Sequence, residues 1–385
     1  MTSLSTLTDR IRAQAPADKY ILWAALVLGA VGVVAVYSAI TFLAETGANG
    51  NTEQFLGRHV VRLGLALGAV LVFSWIDYRT VGRYSRFVLV IALGLLLAVQ
   101  VVGVVSGGAA RWLDFGVVGF QPSDLARVAL IIYVGVLLAQ KQAYVKSLGR
   151  SFLPLLFWVG LTVLFIGMED LSMAAVTFVA AMLMCFVGRV STVQIGTLSL
   201  IGVLLASLLL MESPSRAARV EAFIGQDIFP HTTAEQVFDE QTEGYQAQQA
   251  RIAFAMGGLT GVGPGKSVQR DFLPTPYNDF IFAIIAEEYG VIGAMGLLLL
   301  FCVLLFRGFL RVARHAPDPL GLFLAVGCTT MIVLYGFIHA GVASGLLPVT
   351  GLPMPLVSYG GTSMVTTGAM LGILLNISRQ ARPAS

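Results

Sequence analysis

The chain has 385 residues, of which 57% are hydrophobic and only 12% are charged, and its net charge at pH 7 is +3. Soluble domains contain about 25% charged residues, so the composition excludes a soluble globular domain and predicts a polytopic membrane protein. The small net charge gives no indication of a nucleic-acid partner. All three cysteines lie inside apolar runs, which indicates packing roles and neither a disulfide framework nor a metal site.

Apolar runs recur along the whole chain. A transmembrane helix needs about 20 predominantly apolar residues, and ten runs approach or exceed that length. We therefore predict an all-α polytopic membrane protein with ten transmembrane helices in a single domain over 1–385. The runs cover 20–43, 59–76, 87–106, 122–140, 152–167, 171–188, 193–211, 280–306, 319–344 and 355–378.

Two features of these runs affect the count. The first run is too long for the apolar segment of a signal peptide, so it is taken as the first transmembrane helix. The fifth and sixth runs are short and are separated only by 167–170. A helical hairpin and a partly re-entrant pair are both consistent with them.

Lysine and arginine residues are concentrated in every second connection between the runs. Positive charge favours the cytoplasmic side of a membrane, so the pattern predicts that both termini, 1–19 and 379–385, are cytoplasmic. Helices 1–7 then occupy 20–211, and helices 8–10 occupy 280–378. The connection over 212–279 falls on the extracytoplasmic side, and a connection of this length usually carries function.

Within that long connection, the segment from Glu243 to Met256 has modest helical amphipathicity, which predicts a helix lying along the membrane surface. No internal repeat is visible in the sequence. The inverted repeats that many transporters show are therefore not indicated.

The stretch from Gly257 to Gly290 combines glycines, prolines and carboxylates next to an apolar run. Asp279 directly precedes that run, so one interpretation is a helix N-cap. A second, compatible interpretation is a general base at the membrane surface. Asp271 lies in the same stretch, and the two prolines between these carboxylates favour an extended backbone. A pair of carboxylates acting together is a further interpretation.

Four other charged residues lie within apolar runs. Glu287 and Glu288 follow Asp279 by more than two helical turns, and carboxylates at such a depth indicate a function or a buried partner. Asp124 and Arg127 are three residues apart and share a helix face. They predict an ion pair, which is either structural within the bundle or part of a functional site.

The long connection contains five notable cations, which are Arg216, Arg219, Arg251, Lys266 and Arg270. One interpretation is a surface that faces solvent or lipid head groups. The other is a phosphate clamp, since a guanidinium group binds phosphate oxygens through two parallel hydrogen bonds. The string TGVGPGKS is not a nucleotide-binding loop, because Thr260 stands where such a loop requires its first glycine.

Two further polar segments, 111–124 and 348–363, are interrupted by Gly and Pro at the predicted outer boundary. Irregular backbone at membrane depth is tolerated only where protein buries it or where it lines a wet cavity. Together with the loop at 257–279, these segments predict one outward-facing polar cavity.

Several motifs carry a resemblance to a known family. They occur in the order RWLDFG, FQPSDLAR, GYQAQQARIAFAMGGLTGVGPGKS, FLPTPYNDFIFAIIAEEYGVIG and LPVTGLPMPLVSYGGTS. The chain resembles the SEDS family of cell-wall proteins over nearly its whole length. Members of that family include FtsW and RodA, and the wording of the motifs is closer to FtsW.

The resemblance implies a peptidoglycan glycosyltransferase in the bacterial cytoplasmic membrane, with lipid II as its substrate. It also implies a class B penicillin-binding protein as a partner, together with other membrane proteins of division or elongation. The implied reaction joins the 4-hydroxyl of one N-acetylglucosamine to the anomeric carbon of an N-acetylmuramic acid, with inversion and release of undecaprenyl diphosphate.

The resemblance also assigns roles to positions of this chain. The essential aspartate of the family matches Asp279, and a second acidic position matches Asp271. Structural or coupling roles are expected for Asp124, Arg127, Glu287, Glu288 and Asp170. With the cations above, the expected substrate- or diphosphate-binding residues are Arg216, Arg219, Lys266, Arg270, Gln121, Ser123, Ser358, Tyr359, Gly360, Gly361, Thr362 and Ser363.

Asp279 is expected to accept the hydroxyl proton. Nearby cations, or a divalent ion such as Mg²⁺ or Mn²⁺, are expected to stabilise the leaving diphosphate. A lipid II flippase and a scaffold for the transpeptidase are the alternatives. Because the polar motifs cluster on the outer side, while a transporter site is expected near the midplane, the sequence favours the enzyme.

Overall fold

The computed structural model describes residues 16–46, 52–106, 109–114, 119–225, 243–273 and 275–381. Helices dominate this part of the chain. They are α1 (Lys19–Thr46), α2 (Thr52–Trp75), α3 (Tyr78–Val102), α4 (Pro122–Gln140), α5 (Leu153–Glu169), α6 (Leu171–Val187), α7 (Thr192–Met211), α8 (Pro214–Ile224), α9 (Glu243–Gly257), α10 (Ile281–Phe306), α11 (Pro319–Ala343) and α12 (Thr362–Gln380). Short π-helical segments at Leu148–Phe152 and Arg307–Ala313 extend α5 and α10.

Eight helices in the described part of the chain are long and apolar enough to cross a membrane. They are α1 to α5, α7, α10 and α11, with α5 and α10 taken together with their π-helical extensions. Helix α6 is apolar but has 17 residues, and α12 has 19 residues with several hydroxyl side chains. The protein is therefore a mainly helical, polytopic integral membrane protein, and the number of ten spans stays a prediction.

Two helix boundaries differ from the apolar runs for identifiable reasons. Helix α3 begins at Tyr78, nine residues before the run at 87–106, and includes three arginines in its first turns. Long arginine side chains bury their stems along apolar surface while their charged ends reach water, so charge does not end a helix there. The run at 355–378 becomes helical only at Thr362, because 355–361 contains the SYGG turn.

A small antiparallel sheet between α3 and α4 was not predicted. Its strands are β1 (Val104–Ser106), β2 (Ala109–Asp114) and β3 (Gly119–Phe120), in the order β1-β2-β3. Leu113 of β2 pairs with Phe120 of β3. Strand β3 ends at Phe120, and only Gln121 separates it from Pro122, the first residue of α4, so the sheet positions the start of that helix.

The interior of the bundle is formed by α4, α11 and α12, whose side chains are mostly buried on all sides. A helix that is apolar all round is expected in a core or a membrane. Helices α2, α3 and α7 instead expose large apolar side chains such as Leu71, Val101 and Leu204. These helices contribute to the lipid-facing surface, since lipid tails are as apolar as leucine.

Helix α10 is broken at Gly290, whose φ of 67° and ψ of −170° are not helical. The segment 257–271, here called the docked loop, packs against the break. The N–H groups of Val262 and Gly263 donate to the main-chain carbonyl oxygens at 287 and 288, at 2.9 and 3.0 Å. The break thus exposes backbone groups that the docked loop satisfies.

Both buried carboxylates of α10 hold neighbouring segments in place. Glu287 accepts hydrogen bonds from the hydroxyl of Ser267 and from the N–H of Val268 in the docked loop. Glu288 accepts a hydrogen bond from Ser38 of α1. Both carboxylates therefore have buried hydrogen-bond partners on neighbouring segments, and their structural or coupling role stays a prediction.

Polar contacts also join helix ends on the opposite side of the bundle. Asp18 forms an ion pair with Arg307. Asp318 caps α11 by accepting from the N–H of Gly321 at 2.8 Å, and it accepts from Tyr78 Oη at 2.9 Å and from Arg79 Nε at 2.7 Å. Burial opposes ionisation of Asp318, but these hydrogen bonds hold the pKa of its carboxyl below the ordinary value.

Candidate active site

Asp279 lies in a turn between the docked loop and α10, and its side chain is half-buried. Helix α10 begins at Ile281 with Phe280 in the cap position. The cap residue is therefore Phe280 and not Asp279, contrary to the first interpretation of the sequence. The general-base interpretation does not depend on a cap, because it requires only that the carboxyl reach a substrate hydroxyl.

The turn that carries Asp279 is bonded to the connection between α11 and α12, residues 344–361, here called the outer loop. The N–H of Tyr359 donates to the carbonyl of Tyr277 at 2.9 Å. The hydroxyl of Ser358 donates to the carbonyl of Asn278 at 2.7 Å. The two residues before Asp279 are thus held by the SYGG motif, which fixes the backbone next to the carboxylate.

The start of α4 joins the same arrangement through α12. The hydroxyl of Thr362 donates to Asp124 Oδ2 at 2.6 Å and accepts from the N–H of Gln121 at 3.4 Å. Gly361 faces Trp112 and Gly119 of the small sheet. The structure therefore brings FQPSD, SYGGTS and the Asp279 turn together at one end of the bundle.

Asp124 and Arg127 form an ion pair at 2.9 Å, and both side chains are 1% exposed. The guanidinium group of Arg127 lies 4.3 Å from the ring centroid of Tyr335. It also donates to Thr366 at 3.2 Å and to Ser363 at 3.4 Å. The pair therefore joins α4, α11 and α12 from inside the bundle, and this arrangement favours a structural role.

An aromatic cluster lies beside Asp279. The ring of Tyr359 packs edge to face on Tyr277 at 5.4 Å between centroids and stacks on His59 at 5.9 Å. The guanidinium group of Arg62 lies 4.4 Å from the centroid of Tyr359. Burial raises the pKa of Tyr277, and its electrostatic interactions with Tyr359 and with the Asp279 carboxylate raise it further. The cluster therefore shares an electrostatic environment with the Asp279 carboxylate.

A second feature at the same end is a cavity of about 310 Å³ lined by three arginines, which are Arg111, Arg216 and Arg219. Asp170 is the acidic residue in its lining. The outer loop contributes Pro348 through Thr350 and Leu352 to the wall. This cavity, here called the arginine cavity, contains two of the four cations predicted to bind diphosphate.

The other two predicted cations have different surroundings. Lys266 is exposed in the docked loop. Arg270 donates to the carbonyl of Ser38 at 3.1 Å and lies 3.4 Å from the carboxylate of Asp271. The structure does not bring these residues into the lining of the arginine cavity, and the expected second carboxylate, Asp271, is paired with a neighbour in sequence.

Among the residues that the structure describes, no group of three or more His, Cys, Asp and Glu side chains is arranged to hold a metal ion. The donor set around Asp279 is rich in hydroxyl, amide and aromatic groups and contains few carboxylates. Because Mg²⁺ is usually held by one or two carboxylates together with substrate phosphates, the expectation of a divalent ion stays a prediction.

Residue-level inspection of the sequence missed several members of the site. Arg62 and His59 were not assigned a role, although a cation and an imidazole within an apolar run are costly and indicate a function or a buried partner. Arg111 was recognised only as part of a polar segment. Its proximity to Arg216 depends on the sheet, which the sequence did not predict.

A bundle of apolar helices with one polar, arginine-lined end is the architecture of an integral membrane protein with a candidate site at one end of its helices. A family model named for FtsW, RodA and SpoVE, and described as "Cell cycle protein", matches residues 18–383. The chain belongs to this family, and the expected family membership is confirmed.

Relatives and solved structures agree with this assignment. Stage V sporulation protein E of Bacillus subtilis (strain 168) is 36% identical over 361 residues, which are 93% of this chain and 95% of the relative. The probable peptidoglycan glycosyltransferase FtsW of Geobacter sulfurreducens (strain DL-1 / KN400) is 35% identical over 371 residues, which are 95% of this chain and 96% of the relative. A chain from a structure described as "Structural coordination of polymerization and crosslinking by a peptidoglycan synthase complex" matches with a TM-score of 0.74 and 27% identity, covering 94% of this chain and 98% of that one.

Proposed function

We propose that this protein is a peptidoglycan glycosyltransferase that polymerises lipid II at the outer face of the bacterial cytoplasmic membrane, with both of its termini in the cytoplasm. Membership of the FtsW/RodA/SpoVE family supports the proposal, as does the name of the Geobacter relative. The observation that carries it is the convergence of three polar motifs around the turn of Asp279.

Asp279 accepts the proton of the 4-hydroxyl of N-acetylglucosamine as that oxygen attacks the anomeric carbon of N-acetylmuramic acid. The new carbon–oxygen bond forms on the face opposite the diphosphate. The bond from the anomeric carbon to the diphosphate oxygen breaks, and undecaprenyl diphosphate leaves with the electron pair. One displacement inverts the anomeric centre and produces a β-1,4 linkage.

The departing diphosphate develops negative charge, which fixed cations stabilise most strongly where little water is present. We assign this role to Arg216 and Arg219 of α8, which line the arginine cavity together with residues of the outer loop. The remainder of that loop binds the turn of Asp279. A single loop therefore couples the position of the base to the position of the cations.

The chain works with a second enzyme that crosslinks the new strand. The relative with a solved structure belongs to a complex described as coordinating polymerization and crosslinking. A class B penicillin-binding protein is the partner that we propose, within the membrane assemblies of division or elongation.

The test is polymerisation of lipid II by purified protein with its partner, comparing wild type with Asp279→Asn and Asp271→Asn. We expect Asp279→Asn to lose at least about 100-fold in rate, since loss of a general base typically costs 10²–10⁴-fold. Asp271→Asn tests the expected second carboxylate, since loss of activity in this variant as well would indicate that the two carboxylates act together. The carboxylate control is the exposed Glu53 of α2, and we expect Glu53→Gln to retain activity. Wild-type rates in Asp279→Asn, or transbilayer exchange of lipid II without glycan strands, would contradict the proposal.

Repeating the assay with a chelator tests the expectation of Mg²⁺ or Mn²⁺. Since the described residues show no cluster of metal ligands, we expect the arginines to carry most of the charge stabilisation and chelation to lower the rate only modestly. A complete loss that added Mg²⁺ or Mn²⁺ restores would show that a metal ion, arriving with the diphosphate, is required.

A further inference from the structure

His339 lies one turn before the end of α11, and its side chain is buried. Its Nδ1 lies 2.8 Å from the carbonyl oxygen of Leu352 in the outer loop. A carbonyl oxygen can only accept a hydrogen bond, so Nδ1 carries the proton and donates. Nε2 is then an acceptor, and it has no hydrogen-bond partner among the residues that the structure describes. The one hydrogen bond that these residues give the ring is therefore to the outer loop.

A series of hydrogen bonds continues from Leu352 to the turn of Asp279. The N–H of Met354 donates to Ser358 Oγ at 2.8 Å, and the hydroxyl of Ser358 donates to the carbonyl of Asn278 at 2.7 Å. Leu352, Met354 and Ser358 are all buried, so loss of a partner here is costly. A displacement of Leu352 therefore reaches the residue before Asp279 through a short stretch of backbone and these hydrogen bonds.

The outer loop is strained between its anchoring contacts. Leu356 has a φ of 62°, in the left-handed region that residues with a Cβ atom rarely adopt. The backbone at 356–357 packs directly on α1, since a Cβ atom on Gly32 would lie 2.6 Å from the carbonyl oxygen of Leu356. A strained conformation persists only where its surroundings hold it. The outer loop therefore depends on contacts from neighbouring helices, and His339 supplies one of them.

We infer that His339 is a positioning residue of the proposed glycosyltransferase. Its Nδ1–H fixes Leu352, and the outer loop in turn fixes the carbonyl of Asn278 and with it the backbone of Asp279. His339 acts through the loop and not on the substrate. The inference rests on the proposed function and adds to it a residue inside the bundle that controls where the base lies.

Loss of the donor should displace the base more than it weakens substrate binding. Arg216 is held by its own hydrogen bonds to the carbonyls of Met168 and Leu209, at 2.7 and 3.3 Å, and these do not involve His339. We expect His339→Leu, which has no donor, to lower the kcat of lipid II polymerisation at least about tenfold, since displacement of a catalytic group by about 1 Å costs up to 100-fold. The KM for lipid II should change much less.

Two amide variants separate the donor from the bulk and polarity of the side chain. In His339→Asn the amide nitrogen is as many bonds from Cα as Nδ1, so it can donate to the same carbonyl and should restore most of kcat. In His339→Gln the nitrogen is one bond further away, and kcat should stay low. Thr330→Val is the control in α11, since Thr330 is also buried and its hydroxyl has no partner among the described residues. We expect its kcat to equal that of wild type.

Hydrogen exchange measured by mass spectrometry reports the same contact without catalysis. With the full chain in phosphatidylcholine nanodiscs, we expect the amides of 352–359 to exchange about tenfold faster in His339→Leu than in wild type. Thr330→Val should leave their exchange unchanged. A double variant tests the path: if His339 acts through Ser358, then His339→Leu combined with Ser358→Ala should lower kcat no further than Ser358→Ala alone.

Wild-type exchange at 352–359 in folded His339→Leu would overturn the inference, as would equal kcat in His339→Asn and His339→Gln or additive losses in the double variant. If His339→Leu does not fold, the comparison of the two amide variants decides. The two proposals fail separately. Wild-type protein that makes no glycan strands, although exchange at 352–359 responds to His339→Leu, would reject the proposed function and keep the contact. Polymerisation that no His339 variant affects would reject the inference and leave the proposed function.

Discussion

At the scale of single residues, Tyr359 connects most of the groups around Asp279. Its N–H donates a hydrogen bond to the carbonyl of Tyr277. Its ring contacts Phe55 and His59 of α2 as well as the ring of Tyr277. The SYGG motif was predicted as a substrate-binding segment. The structure adds a physical reason for its aromatic residue, which joins α2 to the turn of the proposed base.

Replacement of Tyr359 tests that connection. Tyr359→Ala removes the ring of a partly buried side chain. We expect it to lower the free energy of unfolding by less than the about 3–5 kcal/mol that truncation of a fully buried aromatic side chain costs, and to leave the Asp279 turn less well fixed. We expect the polymerisation rate to fall at least about tenfold, because displacement of a catalytic group by about 1 Å costs up to 100-fold.

Tyr359→Phe is the matched control, since it keeps the ring and the main-chain hydrogen bond. We expect it to retain most of the activity, and thermal unfolding to distinguish loss of the local connection from loss of the fold. Equal, severe loss in both variants would instead assign the role to the hydroxyl group and contradict a packing role.

At the scale of secondary-structure elements, the break in α10 and the docked loop form one unit. Gly290 and Gly261 have φ values of 67° and 81°, in the region that glycine adopts without steric cost. A Cβ atom on Gly290 would lie 2.3 Å from the carbonyl oxygen of Leu259, and one on Gly261 would lie 2.1 Å from that of Glu288. The glycines of the stretch from Gly257 to Gly290 therefore permit the backbone of the docked loop to approach the backbone of α10 closely.

Gly290→Ala should weaken this unit. The φ of 67° and ψ of −170° at Gly290 lie in a region that essentially only glycine adopts and that costs about 1–3 kcal/mol for other residues, and the contact with the Leu259 carbonyl forces further displacement. We expect a lower melting temperature in detergent and faster proteolysis of the docked loop. Gly296→Ala is the control in the same helix, since a Cβ atom there has open space and alanine is the better helix former. Comparable loss of stability in both variants would contradict a specific role for the break.

The sequence was most informative about helices that coincide with long apolar runs, and least informative about contacts between segments that are distant in sequence. Every predicted apolar run contains a helix, because burial in lipid requires internally satisfied backbone groups over the whole run. The β-strands escaped prediction, since 104–106 continues an apolar run and each strand is short. The carboxylates Glu287 and Glu288 were noted for their depth, but their partners lie 18 to 250 residues away in sequence, beyond the reach of local patterns.

The grouping of the residues at the candidate site was likewise not predictable from local sequence patterns. Asp279, Thr362 and Asp124 were singled out individually, through their positions beside Gly/Pro-broken segments or through family motifs. Their grouping depends on the packing of α12 against α2 and α4, which no local pattern specifies. Arg111 reaches Arg216 because β2 and α8 both contact the end of α5.

At the scale of the whole molecule, polar contacts divide into two sets at opposite ends of the helices. One set joins Asp18 to Arg307 and Arg79 to Asp318. The other contains the turn of Asp279, the start of α4 and the arginine cavity. Most Lys and Arg residues outside the candidate site lie in connections at the same end of the helices as the first set. Connections rich in Lys and Arg favour the cytoplasmic side of a membrane. We therefore expect the first set to face the cytoplasm and the site to face outward.

Cysteine accessibility in right-side-out membranes tests this orientation. Cys185 and Cys328 are buried, while Cys302 is partly exposed and is replaced by serine. Lys266→Cys, exposed in the docked loop, and Arg314→Cys, exposed after the π-helical end of α10, are then introduced singly. A membrane-impermeant maleimide should label Lys266→Cys in intact preparations and Arg314→Cys only after permeabilisation. Because the donor lipid reaches an extracytoplasmic enzyme only from the outer leaflet, the reverse pattern would place Asp279 on the wrong side for polymerisation and would reject the proposed function together with the orientation.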